Sequence, residues 1–140
     1  MGTRVLVTGA TGYIGGRLVP RLLDAGFDVR VLVRHPEKLR NVPWALRVDI
    51  HEGDLADRAS LDAACQDVDV FYYLVHSMGQ KGDFEATELQ CAHNVAQATR
   101  AAGVKRIVYL GGLHPDAGDL SKHLRSRAEV GDILLESGVP

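Results

Sequence analysis

Residues 5–16 read VLVTGATGYIGG, an apolar run that ends in four glycines within eight positions. No other stretch narrows the possible folds so far. The run before the glycines has strand character, and Ile14, Leu18 and Leu22 beyond them fall on one helical stripe. A strand, a glycine turn and a helix in immediate succession open a βαβ unit. Such a unit sets its second strand parallel to the first, so the chain is committed to a parallel sheet covered by helices.

The rest of the chain keeps the alternation. Residues 4–8, 28–33, 47–51, 68–74 and 105–110 are short, rich in Val, Leu, Ile or Tyr, and predict strands. Residues 13–25, 58–66 and 84–102 predict helices, with Gly26 and Gly103 where helix-ending glycines belong. A last helix is predicted over 122–137. The fold class that follows is α/β: a Rossmann-type doubly wound parallel sheet of about five strands with helices on both faces. Pro20 removes a helical hydrogen bond and crowds the Gly16 carbonyl, so local distortion of the first helix is expected, but not its loss. The final ILLESGVP resembles a lead-in to a further strand. Residues 1–140 therefore read as one domain without the C-terminal lobe of a longer design.

The glycine spacing points to a ligand. Gly9, Gly12 and Gly15 form GxxGxxG in the strand-to-helix context that binds a dinucleotide. The first glycine allows the tight turn, the second lets backbone approach a pyrophosphate, and the third lets helix and strand pack closely. The helix N-terminus then faces the negative charge. In NAD sites an acid follows about 20 residues on, at the end of the second strand, to accept the ribose 2′-hydroxyl. Here that strand ends in Arg34 and His35, whereas Asp24 and Asp28 come before it. A guanidinium offers a fork of donors suited to a 2′-phosphate, and Lys38 could add charge. NADP is therefore expected over NAD; the plain alternative for Arg34 is a solvated basic loop.

Composition excludes other classes. The chain is 46% hydrophobic and 24% charged, with a net charge of −2 and interspersed signs, which leaves no footprint for nucleic acid. No apolar run approaches the roughly 18 residues of a membrane span. The early first strand argues against a signal peptide. Cys65 and Cys91 fall in helical patterns without CxxC spacing, and read as buried free thiols of a cytoplasmic, metal-free protein.

The residues VTGATGYIGGRLVPRLLDAGFDVRVLVR, GDL at 53–55, VFYYLVHSMG and AAGVKRIVYLGGL occur in order and spacing over almost the whole chain. In these the chain resembles the atypical and extended short-chain dehydrogenase/reductase superfamily, in its NAD(P)H-binding, NmrA-like and epimerase-like branch. The resemblance implies a cofactor cradle made by Gly9, Thr11, Gly12, Tyr13, Ile14 and Gly15. It implies that Asp54 and Leu55 flank the adenine, and that Leu74, Val75 and His76 line the ribose and nicotinamide side. On composition alone, Asp54 could equally be a turn or capping residue. In related proteins the fold's fourth and fifth helices often pair two subunits. The small residues Ala86, Ala92, Ala96 and Ala98 in 84–102 would allow such a homodimer, or close packing on the chain's own sheet.

Hydride-transferring members carry a serine after the fifth strand and a Tyr-x-x-x-Lys pair on the next helix. Here Gly111 and Gly112 follow the strand, and in SKHLRSRAEVG His123 falls at the tyrosine and Arg127 at the lysine. At i and i+4 the two share a helix face. A neighbouring guanidinium disfavours imidazolium, so His123 would stay neutral and be a weak donor. Arg127 could hold ribose hydroxyls or a substrate carboxylate. His76, His114 and His123 could converge as a proton relay or lie apart on separate loops. Their spacings of 38 and 9 residues fit no short metal motif. Two functions stay open: an NADP-dependent oxidoreductase acting on an unknown small molecule, with His123 as donor and Arg127 as anchor, or a non-catalytic NADP(H)-binding, redox-sensing regulator. The chain could also be a piece of a longer enzyme.

Overall fold

The structure, a computed structural model, describes residues 3–74, 84–109 and 133–134. In chain order these form β1 (Arg4–Thr8), α1 (Tyr13–Asp24), β2 (Asp28–Val33), β3 (Asp49–Glu52), α2 (Arg58–Ala64), β4 (Val70–Tyr73), α3 (Phe84–Ala102) and β5 (Arg106–Tyr109). All strand pairs are parallel, in the order β3-β2-β1-β4-β5. The chain winds outward from β1 in one direction as far as β3, then returns to wind outward through β4 and β5. The C-terminal ends of β1 and β4 thus flank the switch point where ligands of such sheets bind.

Alternation along the strands divides the apolar residues between two cores. Val5, Val7, Val29, Val31 and Val33 face α1, where Val19 and Leu22 meet them. Leu6, Leu32, Phe71 and Tyr73 face α2 and α3, against Leu61, Ala92, Val95 and Ala98. Ala92, Ala96 and Ala98 are buried in this second core, so these three small side chains of α3 serve the chain's own sheet. Leu134, in the region of the predicted last helix, is helical and buried in the same core. The other residues of 122–137 lie outside the described residues.

Between β2 and β3 the chain makes two 3-10 turns, Pro36–Leu39 and Ala45–Arg47, anchored by buried Leu39 and Trp44. This second turn delays the third strand from the expected Arg47 to Asp49. The fourth strand starts at Val70 and not Val68, because Asp67 adopts a left-handed φ of 61° in the turn after α2. The stripe on α1 is also rotated: Gly15, Val19 and Leu22 are its buried residues, while Ile14 is exposed. Close contact between Gly15 and the loop after β1 sets that rotation. The helix continues through Pro20 to Asp24 and ends as expected at Gly26, where Phe27 N–H donates to the Leu22 carbonyl at 3.1 Å.

Arg30 is the one deeply buried charge among the described residues. It lies beside Asp49 in the β2–β3 register, and its Nε donates to the Asp49 carboxylate at 2.9 Å. Its Nη1 donates to the carbonyls of Ala64 and Gln66, each at 2.8 Å, at the end of α2. A cation at a helix C-terminus is favoured by the helix dipole. Arg30 thereby ties α2 to the sheet beneath it.

Candidate functional site

At the end of β1 the chain turns at Gly9, whose φ of +79° lies in the left-handed region. A side chain there would also meet Leu74 after β4, with its Cβ only 3.1 Å from the Leu74 carbonyl carbon. Gly12 N–H donates to the Gly9 carbonyl at 3.0 Å and closes the turn. Gly15 packs directly on this loop, where a Cβ would lie 2.7 Å from the Gly9 carbonyl carbon and 2.9 Å from Ala10 Cα. Backbone meets backbone, and no side chain fits between.

The turn delivers the N-terminus of α1 with no side-chain cap and no acid in the first turn. The first helical bond runs from Gly16 N–H to the Gly12 carbonyl at 2.9 Å. The amides of Tyr13, Ile14 and Gly15 precede it, and such amides carry the positive end of the helix dipole. Around them Thr11 is exposed, and Tyr13 and Ile14 are 73% and 47% exposed. The Arg17 guanidinium lies over the Tyr13 ring, 3.7 Å from its centroid. This surface is cationic, partly apolar and open.

Two further loops end beside this turn in the sheet order. Arg34, just after β2, is exposed and pairs with no carboxylate among the described residues. Its neighbour His35 is within 3.5 Å of Glu37, and Lys38 is exposed. After β3, Gly53 N–H donates to the Val33 carbonyl at 2.9 Å, so the GDL segment runs on beside the end of β2. A Cβ on Gly53 would collide with Ser60 and Leu32.

Asp54 is fixed as a turn residue. Its Oδ1 accepts Ala56 N–H at 3.0 Å, while its own N–H donates to Ser60 Oγ at 3.0 Å. Ser60 Oγ in turn donates to the Asp54 and Asp57 carbonyls. The turn reading of Asp54 is thus realised, and it leaves Oδ2 free of partners among the described residues. Capping of α2 falls instead to Asp57, which accepts Ala59 N–H at 3.1 Å. Leu55 is buried, and its carbonyl accepts Asn94 Nδ2 of α3 at 2.9 Å.

A buried hydroxyl closes the β1–β4 seam. Thr8 Oγ1 donates to the Tyr72 carbonyl at 2.9 Å and accepts Leu74 N–H at 3.3 Å. This bond sets Leu74 against Gly9. Thr8, Ser60 and Asn94 are contributors that the motif alone does not reveal. For Asn94 a signal exists: Cys91, Ala92, Val95 and Ala98 share the buried face of α3, and Asn94 is a polar residue placed among them. Val75, His76, His114, His123 and Arg127 lie outside the described residues.

The altered acidities fall away from the glycine turn. Partial burial pushes the Asp49 carboxyl up, but the Arg30 hydrogen bond and nearby His51 outweigh it and hold it below its ordinary value. Burial pushes the Cys65 thiol up to about 12. Neither cysteine forms a disulfide and both are buried, as read from the sequence. No helix among the described residues is long and apolar enough to cross a membrane.

Comparison with known proteins agrees with this geometry. A (4-alkanoyl-5-oxo-2,5-dihydrofuran-3-yl)methyl phosphate reductase of Streptomyces griseus is 36% identical over 139 residues, 97% of this chain and 44% of that protein. The triphenylmethane reductase of a Citrobacter species, solved with NADP(H), superposes with a TM-score of 0.80 at 25% identity, over 97% of this chain and 46% of that one. The NADPH-dependent quinone oxidoreductase of Escherichia coli, solved with NADPH, gives a TM-score of 0.77 at 29% identity, over 96% and 46%. The chain thus spans somewhat under half the length of these relatives. The family model described as NAD(P)H-binding matches residues 9–137, from the first glycine of the turn to the region of the last predicted helix, and the chain belongs to that family.

Proposed function

We propose that this chain is the NADP(H)-holding part of a reductase. The glycine turn carries the reading: Gly9 and Gly15 leave no room for side chains, and the turn presents uncapped amides on the C-terminal edge of the sheet shared with Arg34, which pairs with no carboxylate among the described residues. Gly9, Thr11, Gly12, Tyr13, Ile14 and Gly15 would cradle the pyrophosphate, and Arg34 would take the 2′-phosphate. Asp54 and Leu55 would flank the adenine; Leu74, Val75 and His76 would line the nicotinamide side. The bound cofactor would supply a hydride. His123 as proton donor and Arg127 as anchor complete the proposed site. Relatives of about twice this length, two named as reductases and one as an oxidoreductase, the latter and one reductase solved with NADPH or NADP(H), support the reading. The substrate would be a small molecule. Two buried cysteines that form no disulfide suit a reducing cytoplasm. A homodimer through α3 would use its outer residues Gln90, His93, Gln97 and Arg100, since Ala92, Ala96 and Ala98 face inward.

One observation favours the non-catalytic regulator instead: no serine, tyrosine or lysine stands at the positions where reductases of the superfamily carry them. Titration with NADPH, NADH, NADP and NAD, before and after Arg34→Asp, tests the cofactor assignment. NADPH should bind more tightly than NADH, and Arg34→Asp should erase the difference. Equal affinities in the unaltered protein would remove the NADP assignment. Turnover lost in His123→Ala with cofactor binding retained would favour the reductase, and binding without any turnover the regulator.

A further inference from the structure

We infer that Asn94 is a positioning residue for adenine recognition, acting from α3 through a single peptide plane. The inference rests on the reading of Asp54 as adenine-flanking. The peptide between Leu55 and Ala56 is gripped at both ends. Its carbonyl accepts Asn94 Nδ2 at 2.9 Å, and its N–H donates to Asp54 Oδ1 at 3.0 Å. Rotation of that plane would release both bonds together.

The grip has a defined direction. A carbonyl only accepts, so the Asn94 amide must turn its nitrogen toward Leu55. Gln90, one turn earlier on α3, enforces this by donating its Nε2 to Asn94 Oδ1 at 3.1 Å. Asn94 is only 7% exposed, so water cannot readily replace the lost donor. Asp54 in turn has one oxygen bound to the plane and the other without a partner among the described residues. An exocyclic amine of adenine is a donor suited to that second oxygen. Asn94 therefore fixes the plane, the plane fixes the carboxylate, and the carboxylate reads the amine.

The experiment compares binding of NADPH, deamino-NADPH (hypoxanthine replaces adenine, so the exocyclic amine is lost) and reduced nicotinamide mononucleotide. The unaltered protein should favour NADPH over deamino-NADPH by about tenfold, the discrimination of one hydrogen bond to a charged group. Asn94→Ser and Gln90→Ala should weaken NADPH binding and reduce that preference, with the mononucleotide unaffected. In folded Asn94→Ser the Ala56 amide should exchange its hydrogen faster, a readout independent of activity. Asp54→Asn separates the two ideas. If it abolishes the preference while Asn94→Ser keeps both the preference and slow Ala56 exchange, the role of Asn94 is wrong and the adenine reading stands. If the unaltered protein shows no preference, the adenine reading fails, and the inference with it.

Discussion

Gly15 rests on the Gly9 peptide so closely that one methyl group cannot be inserted between them. Replacement by alanine must push α1 away from β1, because both neighbours of the new Cβ are backbone. Overpacking of this kind costs about 1–3 kcal/mol. Gly15→Ala should lower the unfolding midpoint and weaken NADPH binding further than the stability loss explains. Binding equal to that of the unaltered protein would show that the turn tolerates the displacement.

Thr8 and Leu74 meet through one hydroxyl at the switch point of the sheet. Thr8→Val keeps the shape but strands the Leu74 N–H and removes a donor from the Tyr72 carbonyl. A cost of about 1–2 kcal/mol is expected for a buried donor left unpaired. Denaturant unfolding would measure it, and Leu74 amide exchange should accelerate selectively.

Arg30 concentrates three hydrogen bonds that no exposed arginine among the described residues matches. Arg30→Met should destabilise by about 2 kcal/mol, mainly because the Ala64 and Gln66 carbonyls lose their donor. Asp49 is half exposed, so its ion pair with Arg30 adds little at neutral pH. The sign of its pH dependence is fixed, because its folded pKa lies below the ordinary 3.8. The contribution is present above that value and disappears as pH falls through the folded one. Asp49→Asn should therefore lower stability slightly at neutral pH and make the acid limb of a stability profile shallower by the same small amount.

Cys65 should be inert in the folded protein. With the thiol pushed up to about 12, almost no thiolate exists at pH 8. A disulfide reagent should leave Cys65 unmodified until denaturant unfolds the chain. Rapid labelling without denaturant would show local opening between α2 and the sheet.

The sheet, its parallel winding and the glycine turn were legible because each rests on local pattern: short apolar runs rich in Val, Leu, Ile or Tyr, a helix stripe and glycines at fixed spacing. The position of Arg34 just after the second strand was legible for the same reason, at a counted distance from the turn. The start of the third strand was misplaced by two residues because the 3-10 turn Ala45–Arg47 carries no local pattern that separates it from a strand. Thr8 and Ser60 escaped because their partners are carbonyls and amides, which every residue possesses and no sequence distinguishes; Asn94 left only the trace of a polar residue on the buried face of α3. Arg30 reads as an ordinary polar position on a strand; only the parallel register with Asp49 and the end of α2 makes it a buried anchor.

Trp44, the single tryptophan, lies wholly in the core on the α1 side, and Cys65 lies in the core on the other side. The two layers thus carry separate natural reporters, one optical and one chemical. Emission from Trp44 and release of the Cys65 thiol should share one denaturant midpoint if the molecule melts as a single cooperative unit. Separate midpoints would mean that the nucleotide turn and the α2–α3 layer hold together only through the strands they share.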